Sequence, residues 1–156
     1  MVNRYYVEKR HGFNVEAEHL KHTLIENLEL KNLKTARIIN GYDLENIEDS
    51  LLLAVVDTVL SEPNVDVVYT SDFDYKASDF YFAVAYLPGQ FDQRADSAAE
   101  CIQILSGAER PAVRAFKLYL FEGDFSSDER QGIKRYMINP VDSMERSEEH
   151  TSELQS

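Results

Sequence analysis

The sequence is poor in cysteine and lacks any long apolar run. Its one cysteine, Cys101, cannot form an internal disulfide or a thiolate metal cage, which agrees with a reducing compartment. A membrane-spanning helix needs about 18 consecutive apolar residues, and no such run occurs. The first residues, Met1 to Tyr6, lack the apolar core of a signal peptide. These absences predict a cytoplasmic location.

Basic residues are scarce as well. Lys and Arg number 16 against 28 Asp and Glu, which gives a formal net charge of -12. Nucleic acids and anionic membranes attract basic surfaces, so this charge argues against both as partners. The six glycines are scattered and no Gly-Lys-Ser/Thr motif occurs. The sequence therefore contains no recognisable phosphate-binding loop for ATP.

The sequence does contain enough apolar residues, 44% of 156, for one globular domain with a hydrophobic core. Its first half alternates predicted strands and helices. Arg4 to Lys9 and Thr35 to Tyr42 have the β-branched and aromatic residues typical of strands. Asn14 is the predicted N-cap of one helix. The apolar spacing predicts a second helix over Ile47 to Leu60, which Pro63 ends.

Three further predictions complete the first half. The buried stripe of the first helix is predicted to consist of Val15, Leu20, Leu24 and Leu28. After the second helix, Val65 to Tyr69 has the composition of a short edge strand. Thr70 to Asp79, which contains three aspartates, is predicted to be a solvated connection.

The second half repeats this order of elements. Phe80 to Leu87 is a predicted strand that ends in a Pro88-Gly89 turn, and Ala112 to Glu122 is the longest predicted strand. A third helix lies between them and is ended by Gly107. Its inner stripe is predicted to be Ala95, Ala98, Ala99, Ile102 and Leu105. A fourth helix follows with a capping box formed by Ser126 and Glu129.

A shift of 77 residues superposes the two halves. It aligns a few identical pairs, among them Tyr42 with Tyr119, but the repeated order of elements supports a duplication more strongly than these identities do. We predict pseudo-repeats at about 3–66 and 80–143. The predicted fold is α+β: a two-layer sandwich with an antiparallel sheet, helices on one face and a pseudo-twofold axis between the halves. A parallel doubly wound α/β fold is the alternative.

The densest group of polar side chains lies where a strand turns and enters the third helix. The candidate site residues there are Gly89, Gln90, Phe91, Asp92, Gln93, Arg94, Asp96 and Ser97. Amide groups at a helix entrance can bind an anion, and these side chains could orient a ligand or a partner loop. In the structural alternative, Asp92 and Asp96 complement the helix dipole and Gly89 forms the turn. The two carboxylates could also perform acid–base chemistry unless Arg94 neutralises them.

Other reactive side chains have simpler interpretations. Cys101 lies inside an alanine-rich helix and is predicted to be a small core residue, not a nucleophile. His19 and His22 are one helical turn apart but lack a third ligand, so we expect exposed helix surface and no metal site. Arg37 and Arg114 occupy equivalent strand positions, which suits salt bridges within the sheet or contacts with an anionic partner.

Several stretches resemble a known family. Phe82 to Ala99, Ala108 to Arg114 and Ile138 to Val141 are similar to the amino-terminal domain of large phosphoribosylformylglycinamidine synthases of the PurL type. Arg4 to Lys9 and Arg37 to Asn40 resemble the family's opening, so the resemblance covers about residues 1–143. It implies a domain built like a fused pair of the small accessory subunit of the split enzyme, in agreement with the duplication inferred above.

The resemblance also implies a function. The full enzyme would convert formylglycinamide ribonucleotide to the amidine with ATP, magnesium and ammonia from glutamine. The synthetase and glutaminase domains would be this domain's partners, so we expect no catalytic, cofactor-binding or metal-binding residue here. The implied role is docking, with residues 89–97 facing the synthetase cleft. The alternatives are a stand-alone accessory or scaffold subunit, or a small enzyme that uses Asp92, Arg94 and Asp96.

The last residues are predicted to be foreign to the protein. Residues 146–156 read as the translation of a common sequencing-library adapter, and such segments are excluded from fold reasoning. We therefore predict that the domain ends at residue 143 and that 144–156 form a tail, of which 146–156 are non-native. The chain is then interpreted as a truncated amino-terminal domain.

Overall fold

The computed structural model describes residues 2–146, which form a six-stranded sheet and four α-helices. The strands are β1 Val2–Lys9, β2 Leu33–Glu45, β3 Asp66–Tyr69, β4 Phe80–Tyr86, β5 Ala112–Gly123 and β6 Ser143–Arg146. The helices are α1 Val15–Leu28, α2 Asp49–Val55, α3 Gln93–Ser106 and α4 Ser127–Met137. A π-helical turn, Val56–Leu60, continues α2, and a 3-10 turn, Tyr75–Ala77, precedes β4.

All neighbouring strands of the sheet are antiparallel. Their order is β3-β1-β2-β5-β4-β6. The four helices pack on one face of the sheet, where they form two apolar clusters with alternate residues of the strands. The predicted two-layer α+β sandwich is therefore confirmed, and the parallel doubly wound alternative is wrong.

The two halves of the sheet have the same pairing register. Tyr6 of β1 lies opposite Tyr69 of β3. Adding 77 to both numbers gives Ala83 of β4 and Arg146 of β6, which also lie opposite each other. The sheet thus repeats the same pairing in each half of the chain.

The two central strands carry the pseudo-twofold axis. β2 and β5 are the longest strands, with 13 and 12 residues, and they pair over almost their whole length. Asn40 lies opposite Lys117 in this pairing. These two residues are 77 positions apart, so each is the equivalent of the other. The axis therefore passes through the sheet at the pair formed by Asn40 and Lys117.

Each apolar core takes helices from both halves of the chain. In the first core, Leu24 of α1 and Ile133 of α4 cluster with Phe121 of β5, and none of the three is accessible to solvent. In the second core, Val55 of α2 clusters with Ile102 of α3. Neither half can therefore bury its apolar residues without the other, since burial of apolar area is the main favourable term in folding.

The opposite face of the sheet is covered in part by the connection between β3 and β4. The ring of Phe73 stacks on Tyr69 with 4.2 Å between centroids, and the buried Tyr75 contacts Tyr6. The prediction of a solvated connection over Thr70 to Asp79 is wrong at these aromatic residues. The three aspartates favoured that prediction, but Phe73 and Tyr75, which lie among them in the sequence, bury a large apolar area.

Two predicted helix stripes differ from the observed ones at their ends. Val15 is 72% exposed, because the buried face of α1 runs through Ala17 and Leu24, which are two helical turns apart. Leu105 is exposed near the end of α3, where the inner face ends at Ile102.

The last strand extends the sheet beyond the predicted domain end. β6 pairs with β4 up to Arg146, whereas the domain was predicted to end at residue 143 and 144–156 were predicted to be a tail. Residues 144–146 belong to the sheet because they form the edge strand that is equivalent to β3. Arg146 is also the first residue of the segment predicted to be foreign, and 147–156 lie outside the described residues.

A buried carboxylate connects β1, β2 and β6. Asp43 is inaccessible to solvent and accepts two hydrogen bonds of 2.6 Å from Arg4 and one of 2.6 Å from Arg146. The ring of Phe116 lies 5.0 Å from the Arg4 guanidinium and 4.4 Å from that of Arg146. Burial opposes the charge of Arg4, but the hydrogen bonds and charge of Asp43 outweigh it and raise the pKa of Arg4. Burial lowers the pKa of Arg146.

We predict that Asp43→Asn lowers the free energy of unfolding by about 3 kcal/mol, because it leaves two buried guanidinium groups without a counter-charge. Urea denaturation at neutral pH measures the loss. The matched control is Asp96→Asn, which breaks the exposed ion pair with Arg110 and should cost less than about 1 kcal/mol. Equal losses in the two variants would contradict the prediction.

Candidate functional site

The candidate site begins at a tight turn before α3. The amide of Gln90 donates a hydrogen bond of 3.0 Å to the carbonyl of Leu87, and Gly89 adopts a φ of 88°, which favours glycine. Asp92 is the N-cap of α3, and its Oδ1 accepts a hydrogen bond of 3.2 Å from the amide of Ala95. Gly89 thus forms the turn, and Asp92 caps the helix.

Arg94 and Asp96 have different partners within the domain. Arg94 Nη1 donates a hydrogen bond of 2.7 Å to Oδ1 of Asn40, the residue on the pseudo-twofold axis. The carboxylate of Asp96 forms an ion pair with Arg110. Asp92 and Asp96 are thus occupied by a helix cap and a salt bridge, and Arg94 does not form a salt bridge with either carboxylate. This arrangement does not support the acid–base pair considered from the sequence.

A cleft of about 630 Å³ lies between the amino end of α3 and strands β4 and β5. Of the predicted site residues, the ones that line it are Asp92, Gln93, Arg94 and Ser97. Gly89, Gln90 and Phe91 are exposed outside the lining, and Phe91 has 70% of its surface accessible. The structure thus divides the predicted group into a cleft wall and an exposed turn.

The sheet contributes lining residues that sequence analysis missed. Lys117 and Tyr119 of β5 lie on the floor of the cleft. Alternate residues of a strand face the same layer, so both side chains point toward the helices. The predicted strand contained them, but no local pattern connects them with a helix entrance more than 20 positions earlier in the chain.

A second cleft, of about 270 Å³, occupies the equivalent position in the first half. Most lining positions of the two clefts correspond after the shift of 77 residues. The pairs that differ in charge, with the larger cleft first, are Arg94 and Ala17, Lys117 and Asn40, Gln93 and Glu16, Ser143 and Asp66, Ala85 and Glu8, and Tyr86 and Lys9. At these positions the larger cleft has two cations, and the smaller cleft has three carboxylates and one cation.

Each cleft contains a largely buried tyrosine at an equivalent position. Burial raises the pKa of Tyr119 to about 12, with a smaller contribution from the charge of Glu16 and an opposing one from Arg94. Burial also raises the pKa of Tyr42 in the smaller cleft. Both phenols are therefore neutral at physiological pH, and each hydroxyl can donate a hydrogen bond into its cleft.

Arg37 and Arg114 have different surroundings although their positions are equivalent. Arg37 donates hydrogen bonds of 2.8 and 2.7 Å to Glu8, which also accepts one of 3.0 Å from the hydroxyl of Tyr69. Arg114 is exposed and forms no salt bridge within residues 2–146, because Ala85 stands at the position equivalent to Glu8. The predicted salt bridge within the sheet is therefore present only for Arg37.

The remaining candidates lie on helix surfaces. Cys101 is exposed, so its prediction as a core residue is wrong: Ala98 and Ile102 form the inner face of α3 and Cys101 points away from it. His19 and His22 are exposed on α1, as expected. Within residues 2–146, no group of three or more His, Cys, Asp or Glu side chains is arranged to hold a metal ion.

Comparison with known proteins gives no relative of this chain. No protein-family model matches the chain, and no curated protein matches it. Among residues 2–146, none of the helices has the length and apolar character needed to cross a bilayer.

We predict that Tyr119 makes stability depend on alkaline pH. Its folded pKa of about 12 lies above the unfolded value of about 10, so its contribution is complete below pH 10 and is lost as pH rises through 12. Between pH 9 and pH 11, the free energy of unfolding measured by urea denaturation should fall by about 1 kcal/mol more in wild type than in Tyr119→Phe. The control, Tyr86→Phe, replaces an exposed tyrosine of β4. Equal pH dependence in wild type and Tyr119→Phe would contradict the prediction.

Proposed function

We propose that this chain is the amino-terminal domain of a phosphoribosylformylglycinamidine synthase, a cytoplasmic ligase of purine biosynthesis. The complete enzyme would convert formylglycinamide ribonucleotide to the amidine, with ATP, magnesium and glutamine bound by its other domains. This domain would organise the assembly of the synthetase and glutaminase domains. It would not catalyse the reaction alone.

The observation that carries the proposal is the repeated strand register. A fused pair of accessory subunits requires two halves with the same pairing, joined through their central strands. The sheet has this arrangement, with the edge pairs β1–β3 and β4–β6 in equivalent registers. The sequence resemblance implies the same duplicated architecture. Both features therefore support one family.

The proposed docking surface is the exposed part of the predicted site. We call it the entrance surface and define it as Gly89, Gln90, Phe91, Gln93 and Ser97, all of which are exposed. The cap formed by Asp92 and the hydrogen bond from Arg94 to Asn40 hold the helix entrance in place behind it. A rigid turn with an exposed aromatic ring suits protein docking, since aromatic residues are frequent anchors of interfaces.

We predict that Phe91→Ala in the complete enzyme lowers kcat/KM with glutamine by about tenfold, because it removes an aromatic anchor from the interface. Assays with glutamine and with ammonia are run in parallel. A loss with glutamine alone indicates a defect in glutaminase assembly, and a loss with both substrates indicates a defect in the synthetase cleft.

The matched control is Phe13→Ala. Phe13 is 53% exposed before α1, near the equivalent helix entrance of the first half. Because Phe13 lies outside the entrance surface, its loss should leave both rates within about twofold of wild type. Rates for Phe91→Ala that match those of Phe13→Ala would contradict the docking role.

A second test is to sequence the source gene beyond the codon for Glu145. The proposal predicts an open reading frame that continues into a synthetase domain. Amplification and sequencing of the genomic locus decide this. A stop codon directly after Glu145 would contradict the proposal and favour a stand-alone subunit.

A further inference from the structure

We propose that the larger cleft is a binding site for a small organic oxyanion, a phosphate or a carboxylate. The cleft lies between the amino end of α3 and strands β4 and β5, and its volume is about 630 Å³. This volume falls in the range of sites for small organic molecules, about 300 to 1,000 Å³. The inference does not rest on the proposed function, because it requires no other domain of an enzyme.

Arg94 carries a charge that no carboxylate compensates. This side chain is partly buried, and among residues 2–146 its one hydrogen-bond partner is the neutral amide oxygen of Asn40. No carboxylate within residues 2–146 forms a salt bridge with it. A partly buried cation without a counter-charge is costly, and an anionic ligand would supply that counter-charge.

Two cations and two carboxylates line the cleft, and each carboxylate accepts a hydrogen bond from the chain itself. Asp92 accepts a hydrogen bond of 3.2 Å from the amide of Ala95, and Asp142 accepts one of 2.8 Å from the hydroxyl of Ser143. The second cation, Lys117, lies 3.0 Å from Glu16, whose side chain is 67% exposed. Solvent weakens such an exposed pair, so a bound anion can compete with Glu16 for Lys117.

The equivalent cleft of the first half lacks cations at the positions of Arg94 and Lys117. There, Ala17 occupies the position of Arg94, and Asn40 occupies that of Lys117. Ala17 is buried in a well-packed helix, so the fold does not require a cation at this position. The smaller cleft does have two lining cations, Lys9 and Arg37, but they form ion pairs with Asp66 and Glu8. Arg94 has no such carboxylate partner within residues 2–146. A ligand explains this difference between two clefts that have the same backbone frame.

The lining of the larger cleft contains several hydrogen-bond donors. Ser97 lies one helical turn after Arg94, on the same side of α3. Its hydroxyl and that of Tyr119 can both donate hydrogen bonds, in addition to the guanidinium of Arg94 and the ammonium of Lys117. Four donors around one space suit a ligand whose oxygen atoms only accept. Phosphates and carboxylates have this property.

The test is calorimetric titration of the complete chain with inorganic phosphate, pyrophosphate and succinate, at constant ionic strength. We expect saturable binding of at least one probe with a stoichiometry of one. Stronger binding of pyrophosphate than of succinate assigns the cleft to organic phosphates, and the reverse order assigns it to carboxylates. No saturable heat with any of the three probes would overturn the proposal.

Two variants locate the binding site. Arg94→Gln removes the charge and keeps a donor for the oxygen of Asn40, and it should weaken binding by about tenfold or more. Lys117→Gln is the second variant and should show the same direction of change. The matched control is Arg110→Ala, which removes an exposed cation near α3 outside the cleft. Thermal melts establish that each variant is folded.

Equal affinity in wild type and both cleft variants would overturn the proposal. The same conclusion follows if Arg110→Ala weakens binding as much as Arg94→Gln does, because the ions would then respond to the net charge of the surface and not to the cleft. If Arg94→Gln does not fold, the affinity of Lys117→Gln decides the question alone.

Discussion

The whole structure depends on the antiparallel pairing of β2 with β5. These strands join the two halves of the chain, and the sheet repeats the same register on either side of Asn40 and Lys117. A slip of one residue would turn the buried Phe121 from the helix layer to the opposite face, since neighbouring residues of a strand point in opposite directions. The same slip would take Tyr119 out of the larger cleft. One register thus determines both cores and both clefts.

The cores show why the halves form a single unit. α1 from the first half packs near α4 from the second, and α3 from the second half packs near α2 and its π-helical continuation. Separating the halves would expose both clusters to water at once, so the large apolar area buried between them favours all-or-none unfolding. On the opposite face of the sheet, the hydrogen bond from Arg146 to Asp43 joins β6 to β2.

Local patterns account for what could be predicted from the sequence. The capping box of Ser126 and Glu129 forms as expected, and Gly107 ends α3 in the left-handed conformation. The order of elements and the α+β architecture followed from such short-range signals. Contacts between distant residues could not be predicted in this way. The hydrogen bond from Arg94 to Asn40 joins residues 54 positions apart, and the cleft combines a helix entrance with a strand that begins after the helix has ended.

The difference between the two clefts has a consequence for stoichiometry. A dimer of identical half-length chains must present every feature twice, because one gene encodes both copies. In the fused chain a substitution at Arg94 leaves Ala17 unchanged, so selection acts on each side separately. The result is a symmetric frame with two distinguishable ends. A partner that recognises one end meets this domain in a single orientation and in a ratio of one to one.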